Sequence, residues 1–143
     1  MANTVPFKLV TPTRIVFEGD AELVIAVTTE GEEGILPKHA PFLAALKPGV
    51  LRANVAPSPS KEGAGSRLEL ATSEGFMQAL PDRVTVLVDE AVAFEDVVVA
   101  EVREELEAAI QRQKDAGDDR EVHLREQAAI EFASAKLRLT GHR

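Results

Sequence analysis

The sequence predicts an antiparallel β-sandwich or barrel followed by an antiparallel two-helix hairpin, on three observations. Short apolar runs bounded by Gly, Pro, Asp or Ser recur from Phe7 to Ala93. After Phe94 the apolar residues recur instead every three or four positions. Ala116-Gly117-Asp118-Asp119 then interrupts the helical stretch near its middle. The expected division is a β-domain over residues 1–93 and a helical hairpin over 94–143.

The strands follow in order. Phe7–Val10, Arg14–Glu18 and Ala21–Thr28 are separated by the turn signals Thr11-Pro12 and Glu18-Gly19-Asp20, which is hairpin spacing. In Ala21–Thr28 the residues Leu23, Ile25 and Val27 point one way and Val24 and Ala26 the other, so both faces are expected to be covered. Phe42–Leu46, a Lys47-Pro48-Gly49 turn, Val50–Val55, Leu68–Thr72, Phe76–Leu80 and Val84–Val88 continue the series. Many short strands at this spacing indicate a sandwich or barrel. Ala56–Ser66 is rich in Pro, Ser and Gly, cannot pack, and is expected to be a weakly ordered hairpin tip.

Val99, Val102, Leu106 and Ala109 form the stripe of a first helix, with Asp96 as its expected N-terminal cap. Val122, Ala129, Ala133 and Leu137 form that of a second, which Gly141 ends. Both stripes are narrow and lean on alanine, so burial holds these helices by little more than about a few kcal/mol and the hairpin is expected to be mobile.

Composition narrows the function. Cysteine is absent, which removes thiolate chemistry and disulfides. A formal net charge of −8, with Phe as the only aromatic type, opposes nucleic-acid binding. Charges interrupt every apolar run well short of the about 18 residues a membrane span needs, so any membrane association goes through partners. The first residues, Met1-Ala2-Asn3-Thr4-Val5-Pro6, lack the features of a signal or transit peptide, and the chain is expected to stay where it is made. His39, His123 and His142 fall in separate elements, and there is neither a Walker-type phosphate loop nor a Gly-x-Ser-x-Gly elbow. No metal, no cofactor and no catalytic residue are therefore expected.

The most specific segment is Gly31-Glu32-Glu33-Gly34-Ile35-Leu36-Pro37-Lys38-His39-Ala40-Pro41-Phe42. It continues into Leu46-Lys47-Pro48-Gly49 and is preceded by Leu9-Val10-Thr11-Pro12 and Val16-Phe17-Glu18-Gly19. Gly31 and Gly34 permit positive φ, and Pro37 and Pro41 stiffen what reads as an over-specified loop. These blocks resemble the epsilon-subunit family of bacterial-type F-type ATP synthases, and the order of strands then helices extends the likeness over the whole chain. One departure is Glu74-Gly75, where the family usually has two glycines, and another is the long 57–66 insertion.

The resemblance implies a non-catalytic rotor subunit on the cytoplasmic side of the bacterial plasma membrane. It implies a sandwich docked on the gamma subunit and on the polar loops of the c-ring, with Glu32 on the c-ring side and His39 on the gamma side. It also implies a hairpin that extends toward the catalytic beta and alpha subunits and inhibits ATP hydrolysis. Some members bind ATP through Ile-Asp-x-x-Arg-Ala at the start of the first helix. Here the aligned Glu95-Asp96-Val97-Val98-Val99-Ala100 has Val99 in place of the arginine, and of two arginine positions on the second helix Arg138 keeps one while Ser134 occupies the other. Valine supplies no charge-assisted bond to phosphate, so no tight ATP site is expected.

From Glu95 to Ala116 there are seven acidic and three basic residues, whereas after Glu131 every charge is basic: Lys136, Arg138 and Arg143. A basic hairpin end fits acidic loops on catalytic subunits, and it equally fits simple compensation of the helix dipole. Taken alone, Glu32 also reads as a solvated turn carboxylate and His39 as a half-buried structural histidine. The competing functional class is a stand-alone adaptor or small-ligand sandwich whose helices cap an exposed sheet.

Overall fold

The computed structural model describes residues 3–57 and 66–141. Nine strands come first: β1 Val5–Thr11, β2 Arg14–Thr28, β3 Gly31–Ile35, β4 Phe42–Leu46, β5 Gly49–Val55, β6 Ser66–Thr72, β7 Gly75–Leu80, β8 Arg83–Val88 and β9 Ala91–Ala93. Helices α1, Val99–Asp115, and α2, Arg120–Leu139, follow. The strand order is β1-β8-β7-β4-β2-β5-β6-β9, with β3 added on β2 and β1 also paired to β2. The structure is the expected β-sandwich with a C-terminal helical pair.

Alternation in the strands builds the core. Val5, Phe7 and Leu9 of β1, Val24 and Ala26 of β2, Leu51 and Ala53 of β5, Met77 and Ala79 of β7, and Val84, Val86 and Val88 of β8 face one another as a continuous apolar cluster. Leu23, Ile25 and Val27, on the other face of β2, are half-buried, as the two-sided pattern required.

Three local expectations are corrected. Glu18-Gly19-Asp20 is not a turn: β2 runs unbroken through it, pairing with β1 by its first half and with β3 and β5 by its second. The Gly31 block is not all loop, because Gly31–Ile35 is β3, hydrogen-bonded to Val24–Thr28. Within that block positive φ falls on Gly31, at 123°, and on Lys38, at 67°, rather than on Gly34.

At the helical end, Asp96 lies in a short 3-10 turn, Phe94–Asp96, and α1 begins after Val98 with no side-chain cap. The expected cap is therefore misplaced by the extra turn, whereas Asp119 does cap α2, accepting from the Val122 N–H at 3.2 Å. Leu106, Val97 and Val99 pack with Val102, Ala133 and Leu137 to join the two helices. On its other side α2 rests on the sandwich: Phe132, Ala135 and Leu139 sit on Val50, Ala71 and Val92. Those three form a cross-strand row over β5, β6 and β9. The ion pair Lys47–Glu131, at 3.5 Å, lies beside this seam. So small an apolar contact is worth on the order of a few kcal/mol. Among the described residues no helix is long and apolar enough to cross a membrane.

Candidate partner-docking surfaces

The sandwich has two outer faces, and among the described residues only one of them is covered, by α2. Opposite the α2-covered row, Ala45 of β4 pairs with Phe76 of β7, Phe76 with Leu87 of β8, and Leu87 with Val10 of β1. These four residues make a second cross-strand apolar row, extended along β4 by Leu43. Here nothing in the described chain lies over it: Leu43 is 71% exposed, Phe76 58% and Leu87 47%. Contiguous exposed apolar patches are where interaction surfaces are commonly found. Sequence reasoning placed these residues in strands but could not tell a bare face from a covered one.

The two residues singled out in the Gly31 block lie apart. Glu32, on β3, is 61% exposed and makes a 2.8 Å ion pair with Arg52 of β5, across β2. It is thus a cross-strand carboxylate with a partner, not a free turn acid, although so exposed a pair stabilises by no more than about 1 kcal/mol. His39 follows the Lys38 turn; its Nδ1–H donates to the Ala40 carbonyl at 2.7 Å, and its ring meets Phe42 edge-on at 5.8 Å between centroids. The carboxylate near its Nε2 belongs to Glu33, at 4.0 Å, so Glu32 and His39 form no acid–base pair. His39 props Phe42 at the start of β4, one residue from exposed Leu43.

In the hairpin, Lys136 is turned inward. Its Nζ lies 2.8 Å from Glu105 of α1 and 4.5 Å above the Phe132 ring, with only 13% of its side chain exposed. Arg138 is exposed and borders a cleft of about 550 Å³ shared with Glu32, Arg52, Arg67 and Glu69. Arg143 lies outside the described residues, as do His142 and residues 58–65 of the expected weak tip. Val99, at the position of the ATP-motif arginine, packs in the interhelix cluster.

Residues 4–94 match the family described as ATP synthase, Delta/Epsilon chain, beta-sandwich domain. The chain belongs to this family. Its relatives include the ATP synthase epsilon chain of Chromobacterium violaceum, 37% identical over 131 residues that make up 92% of this chain and 89% of that one. The ATP synthase epsilon chain of Xanthomonas campestris pv. campestris is 36% identical, covering 96% of this chain and 91% of the relative. In fold, a chain of the Euglena gracilis mitochondrial ATP synthase OSCP/F1/c-ring structure superposes with a TM-score of 0.76 at 21% identity, covering 98% of this chain and 82% of that one. A chain of the Tetrahymena thermophila mitochondrial ATP synthase central stalk/c-ring structure gives 0.59 at 16%, covering 95% and 96%.

Family membership gives the Glu74-Gly75 departure its physical meaning. A Cβ on Gly75 would run into the Leu87 carbonyl oxygen and sit 2.8 Å from the Val88 Cα, so β7 approaches β8 too closely there for any side chain. Glu74 is exposed and carries no such constraint. Of a glycine pair at this turn, only the second is sterically required here.

Sequence patterning also missed what zips the hairpin. Glu126, only 6% exposed, sits between the helices with Arg112 Nε 3.0 Å and Arg125 Nε 3.5 Å away. The Arg112 N–H points off the line to Glu126 Oε2, leaving that oxygen ion-paired but without a hydrogen-bond donor. Removing Arg112 leaves the buried charge poorly compensated. Because Arg112 is itself half exposed, Arg112→Ala is expected to weaken the hairpin by about 1–2 kcal/mol, below the range for a fully buried pair. Amide exchange should accelerate in α1 and α2 and stay unchanged in β1, β7 and β8.

Proposed function

We propose that this chain is the epsilon subunit of an ATP synthase, a non-catalytic stalk subunit that links rotation of the gamma subunit to the c-ring and lies peripheral to the membrane-embedded part. The observation that carries the docking is the bare apolar row Val10–Leu87–Phe76–Ala45 with Leu43, on a sandwich whose opposite row is occupied by α2. A soluble chain gains nothing from leaving such a row open unless another subunit covers it.

The gamma subunit is the occupant of that face, and His39 serves it by holding Phe42 and the start of β4 in place. The c-ring loops meet the end of the sandwich that carries Glu32, whose pairing with Arg52 fixes the direction of its carboxylate. Residues 1–93 form the docking domain. Residues 94–143 form a hairpin that parks on β5, β6 and β9 and can swing toward the catalytic beta and alpha subunits as a brake on ATP hydrolysis. The small seam under Phe132, Ala135 and Leu139 favours such release.

Lys136 is held by Glu105 and Phe132 within the hairpin itself, so it can meet acidic loops only once α1 and α2 separate, whereas Arg138 is already exposed in the parked state. Val99 supplies no phosphate ligand, and the brake works without bound nucleotide. In a bacterium the complex places the chain on the cytoplasmic side of the plasma membrane.

The test is a reconstituted complex containing either the full chain or a chain ending at Phe94. Both should co-purify with gamma and the c-ring, and ATP hydrolysis should be faster with the short chain. Equal turnover removes the brake and leaves the coupling role; failure of the full chain to co-purify removes the role itself.

A further inference from the structure

We propose that the cleft at one end of the bare sheet face takes an apolar side chain of the stalk partner flanked by a lysine or arginine, and that Glu74 and Asp89 receive that cation. This rests on the docking reading above and assigns its chemistry. The cleft measures about 400 Å³, and its apolar walls include Pro12, Ala45, Phe76 and Leu87. Glu74 and Asp89 supply the only charged side chains lining it among the described residues.

Three features make this rim a prepared acceptor. First, the two carboxylate-bearing residues are held together by backbone: the Asp89 N–H donates to the Glu74 carbonyl at 3.3 Å. Next to them the Ser73 N–H donates to the Glu90 carbonyl at 3.0 Å and the Glu90 N–H to Ser73 Oγ at 2.8 Å. Second, among the described residues neither Glu74 nor Asp89 takes part in an ion pair, so both carboxylates are free to receive a cation from outside the chain. Third, the carboxylates border an apolar floor, so a cation brought to them by a docking partner loses water and is held more firmly than one at an open surface.

The sign of the rim decides among occupants. Anionic ligands are repelled. A second copy of this chain would bring together two chains that each carry a formal net charge of −8, which opposes self-association on this face. A partner segment presenting an apolar knob beside a basic residue satisfies both floor and rim.

The experiment measures binding of the full-length chain to the gamma subunit at low and high salt, for wild type, E74Q/D89N, E74K/D89K and Leu43→Ser, with circular dichroism to verify folding. The expected dissociation constant at low salt rises about tenfold for E74Q/D89N and about a hundredfold for E74K/D89K, and the neutral variant loses most of the salt dependence. If both rim variants bind like wild type while Leu43→Ser binds weakly, the rim proposal is overturned and the docking reading stands. If Leu43→Ser also binds like wild type, both are overturned. Self-association of the chain that Leu43→Ser abolishes assigns the face to a second copy and likewise overturns the proposal.

Discussion

A Phe76→Asp chain is expected to fold normally and to be lost from the complex. Phe76 sits at the centre of the bare row, paired with Ala45 on one side and Leu87 on the other, and is 58% exposed, so a carboxylate there meets water in the free chain and costs the core nothing. In the proposed docked state the same carboxylate would be buried among apolar groups without a partner. Central aromatic anchors of interfaces cost about 2 kcal/mol or more when truncated, which is at least about thirtyfold in affinity, and a buried charge adds to that. Pull-down of gamma by the variant, with circular dichroism as the folding control, checks it. Retention at wild-type level would show that this face does not hold gamma.

Gly75→Ala should do the opposite, damaging the fold before any contact is made. The added Cβ would collide with the backbone of β8 at Leu87 and Val88, and backbone cannot rotate away as a side-chain tip can. Relief requires β7 to separate from β8 beside the Phe76–Leu87 pair of the bare face and the Met77–Val86 pair of the core. A loss of about 3 kcal/mol, the upper part of the overpacking range, is expected, with a lower urea midpoint. Glu74→Gly, by contrast, should leave stability within about 0.5–1 kcal/mol, since Glu74 is exposed and touches no such limit.

How much of this was legible beforehand depended on which force set each feature. Core strands such as β7 and β8 follow from alternating burial, a local pattern, and so does the change of period after Phe94. Gly19 misled because glycine signals turns, yet here it lies within β2 with the Phe17 ring against it, the ring's Cζ 3.0 Å from where a Cβ would be. β3 was invisible because Gly31-Glu32-Glu33-Gly34 carries no strand propensity and is held as a strand only by pairing with Val24–Thr28. Asp96 has the chemistry of a cap but not the geometry, since the chain makes a 3-10 turn first.

At the candidate surfaces the Gly31 block named the family, yet it gave neither Arg52 as the partner of Glu32 nor Glu33 as the neighbour of His39. Those pairings depend on register between strands distant in sequence. Leu43, Phe76 and Leu87 looked like ordinary strand residues, because outward and inward positions alternate identically whether or not a helix covers the sheet.

The pairing of β1 with β8 carries a consequence for how the protein is made. β1 is made before the other strands of the sandwich, but Phe7–Val10 find their parallel partners only at Val84–Leu87, so one seam of the sandwich waits until almost all of its strands have been synthesised. The β5–β6 hairpin, a local pairing, can form earlier, and β9 completes the surface on which α2 later settles. The element proposed to move during the working life of the protein is therefore translated after the sheet that receives it, and lands on strands already assembled without it.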